Sequence, residues 1–302
     1  MITHEVRRAR GAGLSLAVHD FRDATREPSG LTVMLVHGYM DAGATWDRVA
    51  APLARAGHVV LAPDLRGFGA SERVGAGGYY HFPDYAADLA ALVAELAPRR
   101  LALVGHSMGG TAACVFAGAL PHAMERLVVI EGLGPPPMPP SLVVDRTRAW
   151  LHALGGDARE EKPLAGLDDA VRRLAFNHPR VPRELLRTLA AKLTRTNDRG
   201  ELVWCYDPLH RTTSPTPFSA DGFMSLLREV RCPVLFVDGG PAGFHPPDEP
   251  ERLACFADLH HETFPEAGHM VHWTAPDRLA DALLRFFDAP LRGQTGGKPE
   301  SA

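Results

Sequence analysis

No stretch of this 302-residue chain reaches the roughly 18 consecutive apolar residues that a membrane-spanning helix needs. The opening residues, MITHEVRRARGAGLSLAVHD, lack the apolar centre of an export signal, so a soluble, cytoplasmic protein is expected. Cysteine is scarce: Cys114, Cys205, Cys232 and Cys255 stand apart with no C-x-x-C pair. That spacing suggests reduced thiols and argues against a disulfide framework or a zinc site. Positive charge is not in excess either. A formal net charge of -4 without a long basic run gives no footprint for nucleic acid. The chain also contains no G-x-G-x-x-G fingerprint, no H-x-x-x-H and no carboxylate cluster at metal spacing, so neither a cofactor nor a metal is expected.

What the chain does have is apolar runs of strand length: TVMLVHG (32 to 38), HVVLAPD (58 to 64), LALVGHS (101 to 107), RLVVIEG (126 to 132) and CPVLFVDGG (232 to 240). None alternates with polar residues, as expected of strands covered on both faces. Helical patterns at 84 to 97 and 108 to 120 separate them, which predicts an α/β fold with a mostly parallel sheet. LSLAVHDF (14 to 21) alternates weakly and reads as an antiparallel edge strand. The strand and helix alternation stops after Glu131 and resumes at Pro233, too long a gap for a simple connection. The gap opens on the stiff linker GPPPMPP and continues with helical stretches near 141 to 154, 167 to 177, 182 to 196 and 219 to 230. The expected organisation is a core of residues 1–133 and 232–290, a helical cap at 134–231 beside the C-terminal ends of the strands, and a flexible tail at 291–302.

The sharpest chemical signal is Gly105-His106-Ser107-Met108-Gly109, a G-x-S-x-G directly after a strand and directly before a helix. Small flanking residues let the backbone turn tightly enough to push the serine hydroxyl into a cleft. The helix N-terminus adds unpaired N–H groups that can hold a developing negative charge. A serine needs a base, and the base needs a carboxylate to orient it. His269 sits in the turn PEAGH after the strand-like ETF and before a long amphipathic helix beginning near Ala275, where a base is expected. His272, three residues on, reads as structural or pocket-lining. Glu131 ends the apolar run RLVVIEG, where a carboxylate must be paired, hydrogen-bonded or solvated in a cleft. One helix and one strand separate it from Ser107, so both are expected at the same end of neighbouring strands.

Four blocks, VHGYMDAGATW (36 to 46), PDLRGFGAS (63 to 71), GHSMGG (105 to 110) and EAGHMVHW (266 to 273), occur in an order and spacing that resembles the α/β-hydrolase family. The resemblance implies an oxyanion hole made by the backbone N–H groups of Tyr39 and Met108. Most members of the family carry their acid shortly after the strand corresponding to PVLFVDGG, in a pattern like G-x-x-D, and this chain departs from it. Certain haloalkane dehalogenases take the acid from the end of the preceding strand, the place Glu131 occupies. Glu131 is therefore the expected third member of a triad with Ser107 and His269, with Asp238 as the alternative acid and Asp248 behind it.

Those dehalogenases use an aspartate nucleophile where this chain has Ser107, so alkyl-enzyme chemistry is not expected. A serine with histidine and acid implies an acyl-enzyme formed from a small-molecule ester or thioester, with a C–C bond hydrolase, a perhydrolase or a non-turnover ligand receptor as alternatives. The segment GELVWCYDPLHR (200 to 211) and the missing late acid are similar to serine hydrolase-like proteins. Trp204, Tyr206, Phe218 and Phe223 are candidate walls of an apolar pocket. Oligomeric state is not legible.

Overall fold

The structure, a computed structural model, describes residues 1–291. The tail expected after Pro290 lies outside the described residues from 292 onward. In chain order the elements are strand β1 (Ile2–Arg10), β2 (Ser15–Asp23), β3 (Thr32–Val36), helix α1 (Asp47–Arg55), β4 (Val59–Pro63), α2 (Phe82–Leu96), β5 (Leu101–His106), α3 (Met108–Ala119) and β6 (Arg126–Ile130). There follow α4 (Val143–Leu154), α5 (Leu167–Asn177), α6 (Arg183–Leu193), β7 (Thr194–Thr196), β8 (Leu202–Trp204) and α7 (Ala220–Leu227). The chain then returns through β9 (Val234–Asp238), α8 (Glu249–Leu253), β10 (Leu259–Thr263), α9 (Val271–Thr274) and α10 (Pro276–Asp288).

Eight strands form one sheet in the order β1-β2-β4-β3-β5-β6-β9-β10. The strands from β4 to β10 run parallel, while β2 is antiparallel to both of its neighbours. Both faces are covered. Leu101 and Leu103 of β5 face a cluster with Leu89 and Leu92 of α2 and Phe116 of α3, whereas Ala102 and Val104 face Val49 and Leu53 of α1 and Leu279 and Leu283 of α10. Burial on both faces is why the central strands read as unbroken apolar runs. The segment expected as an edge strand is β2, and it is not the edge: β1 pairs along its whole length. β1 carries polar residues on most positions because only one side of it meets the sheet.

Within the inserted segment, the helix expected to run to residue 196 stops at Leu193, and residues 194 to 196 pair with β8 as a two-stranded antiparallel ribbon. α5 and α6 share a cluster in which Val171, Leu174, Leu186 and Leu189 meet Met270 and Trp273. α7 behaves differently: Phe223 and Leu227 pack into the cluster beside α3, on the flank of the sheet. Among the described residues, no helix is long and apolar enough to cross a membrane, and all four cysteines are free.

Candidate active site

At the end of β5 the chain turns through Ser107 with φ 51° and ψ -121°, a conformation a non-glycine residue adopts only when its surroundings compel it. The Ser107 N–H donates to the Ile130 carbonyl at 2.9 Å, and α3 begins at the next residue. Gly109 makes the turn possible. A Cβ there would lie 2.6 Å from the Val36 carbonyl oxygen and would also strike the His37 carbonyl oxygen, both rigid backbone. Gly109→Ala is expected to cost about 1–3 kcal/mol of stability by overpacking and to displace the serine; denaturant unfolding with an ester assay checks both.

The three residues that sequence reasoning singled out lie in one hydrogen-bonded line. His269 Nε2 is 3.1 Å from Ser107 Oγ, and His269 Nδ1 is 3.1 Å from Glu131 Oε2. An ionised carboxylate only accepts, so Nδ1 carries the proton and Nε2 presents its lone pair to the serine hydroxyl. Glu131 is 2% exposed and turns with φ 53° at the end of β6. Its carboxylate also accepts from the backbone N–H groups of Gly239 and Phe244, which hold it in place beneath the imidazole.

Asp238 is not brought to His269. Its carboxylate accepts from Gly240 N at 2.7 Å, His261 Nε2 at 2.6 Å and Thr263 Oγ1 at 2.7 Å, pinning the end of β9 to β10. Burial raises its pKa, but these donors outweigh that and hold it below the usual carboxylate value. Asp248 is instead bonded to Arg252 at 2.8 Å.

The loop carrying Tyr39 is pressed against the turn. A Cβ added to Gly38 would lie 3.0 Å from Ser107 Cβ, so the backbone of residues 38 to 39 borders the space above the serine, as does the start of α3 at Met108. Three buried residues, Asp41, His106 and His37, brace that arrangement. Asp41 accepts from Ala42 N, Thr45 Oγ1 and, at 2.9 Å, from His272 Nε2. This tie joins the Tyr39 loop to the turn that bears His269. Burial raises the Asp41 pKa, yet the His272 contact and the neighbouring histidines leave it lowered overall. His106 donates from Nε2 to the His269 carbonyl at 2.8 Å, and burial keeps it neutral, its pKa well below the ordinary value. His37 is also buried and lowered, donating to Gly38 O and accepting from Leu65 N. Asp41 and His106 sit inside blocks already recognised in the sequence, but their partners are too distant along the chain for any local signal.

A cavity of about 780 Å³ opens over Ser107 and His269. Trp204 and Tyr206 line it, together with Met40, Leu174, Met270 and Trp273. Phe218 and Phe223 do not. They pack on each other with ring centroids 5.6 Å apart and lie beneath Arg252, because α7, which carries Phe223 and which Phe218 leads into, belongs to the flank of the sheet. His272 is fully buried behind the cavity, stacked on Trp46 at 4.4 Å, and so braces the site without lining it.

A family profile described as the alpha/beta hydrolase fold matches residues 32–276. Uncharacterised proteins of Mycobacterium tuberculosis and Mycobacterium bovis are 38% identical over 118 residues, 39% of this chain and 34% of theirs, so the chain aligns with only about a third of their length. The serine hydrolase-like protein of Danio rerio is 25% identical over 282 residues, covering 88% of this chain and 84% of that one. Among solved structures, the thioesterase domain from the curacin biosynthetic pathway superposes with a TM-score of 0.79 at 26% identity, over 93% of this chain and 99% of the domain.

Proposed function

The chain belongs to the alpha/beta hydrolase fold family, and from that premise we propose that it is a serine hydrolase cleaving a carboxylic ester or thioester through an acyl-enzyme. The observation that carries the reading is the line from Ser107 Oγ to His269 to Glu131, with 3.1 Å at each step. The Ser107 hydroxyl attacks the carbonyl carbon as His269 Nε2 takes its proton, and Glu131 stabilises the imidazolium that forms. The backbone N–H groups of Tyr39 and Met108 receive the oxyanion. Donors aimed at that charge are each worth roughly 3–4 kcal/mol in the transition state. Collapse expels the alcohol or thiol, protonated by His269. A water deprotonated by the same nitrogen then releases the acid. Within residues 134–231, α5 and Trp204 roof the cavity over the serine as the cap, while α7 packs on the flank of the sheet.

A fluorophosphonate probe tests this reading directly. Intact-protein mass should rise by one phosphonyl group, mapped to the peptide containing Ser107, and Ser107→Ala should remain unlabelled. Absence of the adduct, or an adduct elsewhere, would overturn the assignment.

A further inference from the structure

The cavity is apolar near the serine but cationic at its mouth. Arg172, Arg173 and Arg211 line it, against Asp169. The Asp169 carboxylate meets both Arg172 at 3.1 Å and Arg173 at 2.9 Å, so one negative charge is shared between two positive ones. Among the described residues, no carboxylate lies within ion-pair distance of Arg211. The other carboxylate on the wall, Asp41, is already committed to His272. This positive mouth stands out on a chain whose formal net charge is -4.

Arg173, Arg211, Trp204 and Tyr206 are also shared with an adjoining recess, which adds Lys162. Of the two glutamates bordering that recess, Glu161 is taken by Arg73 and Arg195, leaving Glu160 as the opposing charge. The Arg211 guanidinium is near enough to the Tyr39 and Tyr206 phenols to offset part of what burial does to them. Arg173 and Arg211, exposed on the wall of the reaction cavity that Trp204 and Tyr206 also line, are placed to meet an anionic group of a ligand whose carbonyl lies at Ser107. The guanidinium fork matches the paired oxygens of a carboxylate or a phosphate.

We propose that the site takes acyl substrates bearing an oxyanion, carboxylate or phosphate, remote from the reacting carbonyl and held by Arg173 and Arg211. The inference rests on the serine-hydrolase reading and names its substrate class. The carboxylate would sit at the far end of the acyl chain; the phosphate would belong to the leaving group.

Two matched pairs test it on the full chain. 4-Nitrophenyl hexanoate is compared with the mono-4-nitrophenyl ester of adipic acid, and the butyryl thioester of N-acetylcysteamine with butyryl-coenzyme A. In at least one pair the anionic member should be preferred in kcat/KM by about 10- to 100-fold. That preference should shrink in Arg173→Gln/Arg211→Gln and with added salt, because exposed charges are screened over about 10 Å at 0.1 M. A preference in the first pair assigns the acyl-chain carboxylate, and one in the second assigns the leaving-group phosphate. Equal turnover within both pairs, or a preference that survives the double variant, overturns the proposal while leaving the hydrolase intact. If no substrate turns over faster than with Ser107→Ala, the hydrolase reading falls and takes this inference with it. Both arginines are exposed, so the double variant keeps the fold.

Discussion

Ser107→Ala should lower kcat/KM for 4-nitrophenyl esters by about five to six orders of magnitude, the scale expected when a nucleophile acts as a unit with its base. The change removes one oxygen and nothing else. Alanine has the same backbone demands as serine at φ 51°, and the Ser107 N–H keeps its bond to Ile130. Stability should therefore move little, which separates lost chemistry from lost fold. A steady-state assay on short and medium acyl chains, read beside a thermal melt, makes the measurement. Activity within tenfold of wild type would mean that the carbonyl is attacked by another group or by water alone.

Glu131→Gln is expected to cost about four orders of magnitude in kcat, because the imidazole would be held in the wrong tautomer. The carboxylate meets three donors: Gly239 N–H, Phe244 N–H and His269 Nδ1–H. A glutamine offers one acceptor oxygen and an NH₂ group, so at least one donor faces a donor. If the amide NH₂ turns to His269, the ring is driven to protonate at Nε2, where it can no longer accept from Ser107. Asp238→Asn is the control. That residue bonds Gly240, His261 and Thr263, so its loss should loosen the end of β9 and leave kcat within about fivefold, since nothing it touches reacts. The opposite ranking, with Asp238→Asn crippled and Glu131→Gln active, would make Glu131 a structural anchor of the β6 turn.

The legible parts of the site share a physical origin. A strand followed by a glycine-flanked serine and a helix is a local backbone problem, and Gly105 answers it locally, since a Cβ there would lie 2.6 Å from the Gly109 carbonyl oxygen and from the Gly110 Cα. Glu131 was legible for a related reason: a carboxylate closing a buried run must find donors, whatever they prove to be. β1 was not, because an edge strand has one partner and one mostly exposed row of side chains, so its polarity resembles that of a loop. Phe218 and Phe223, just before and within α7, misled for another reason. Aromaticity signals burial, but Phe223 could be buried against α3 as readily as against a ligand, and it packs against α3.

The preference for Glu131 over Asp238 drew on the family resemblance; by itself the amino-acid order determined the α/β alternation, the tight turn at Ser107 and the place of His269 after the last strand. Each follows from short-range sterics or hydrophobic periodicity, both of which act within a few residues. Only the tertiary structure decided that Asp238 faces His261 and Thr263, that Asp41 ties to His272 across 231 residues of chain, and that Arg173 and Arg211 meet at one cavity mouth. Those pairings depend on which distant segments the sheet order and the inserted helices bring together, and no local preference encodes them.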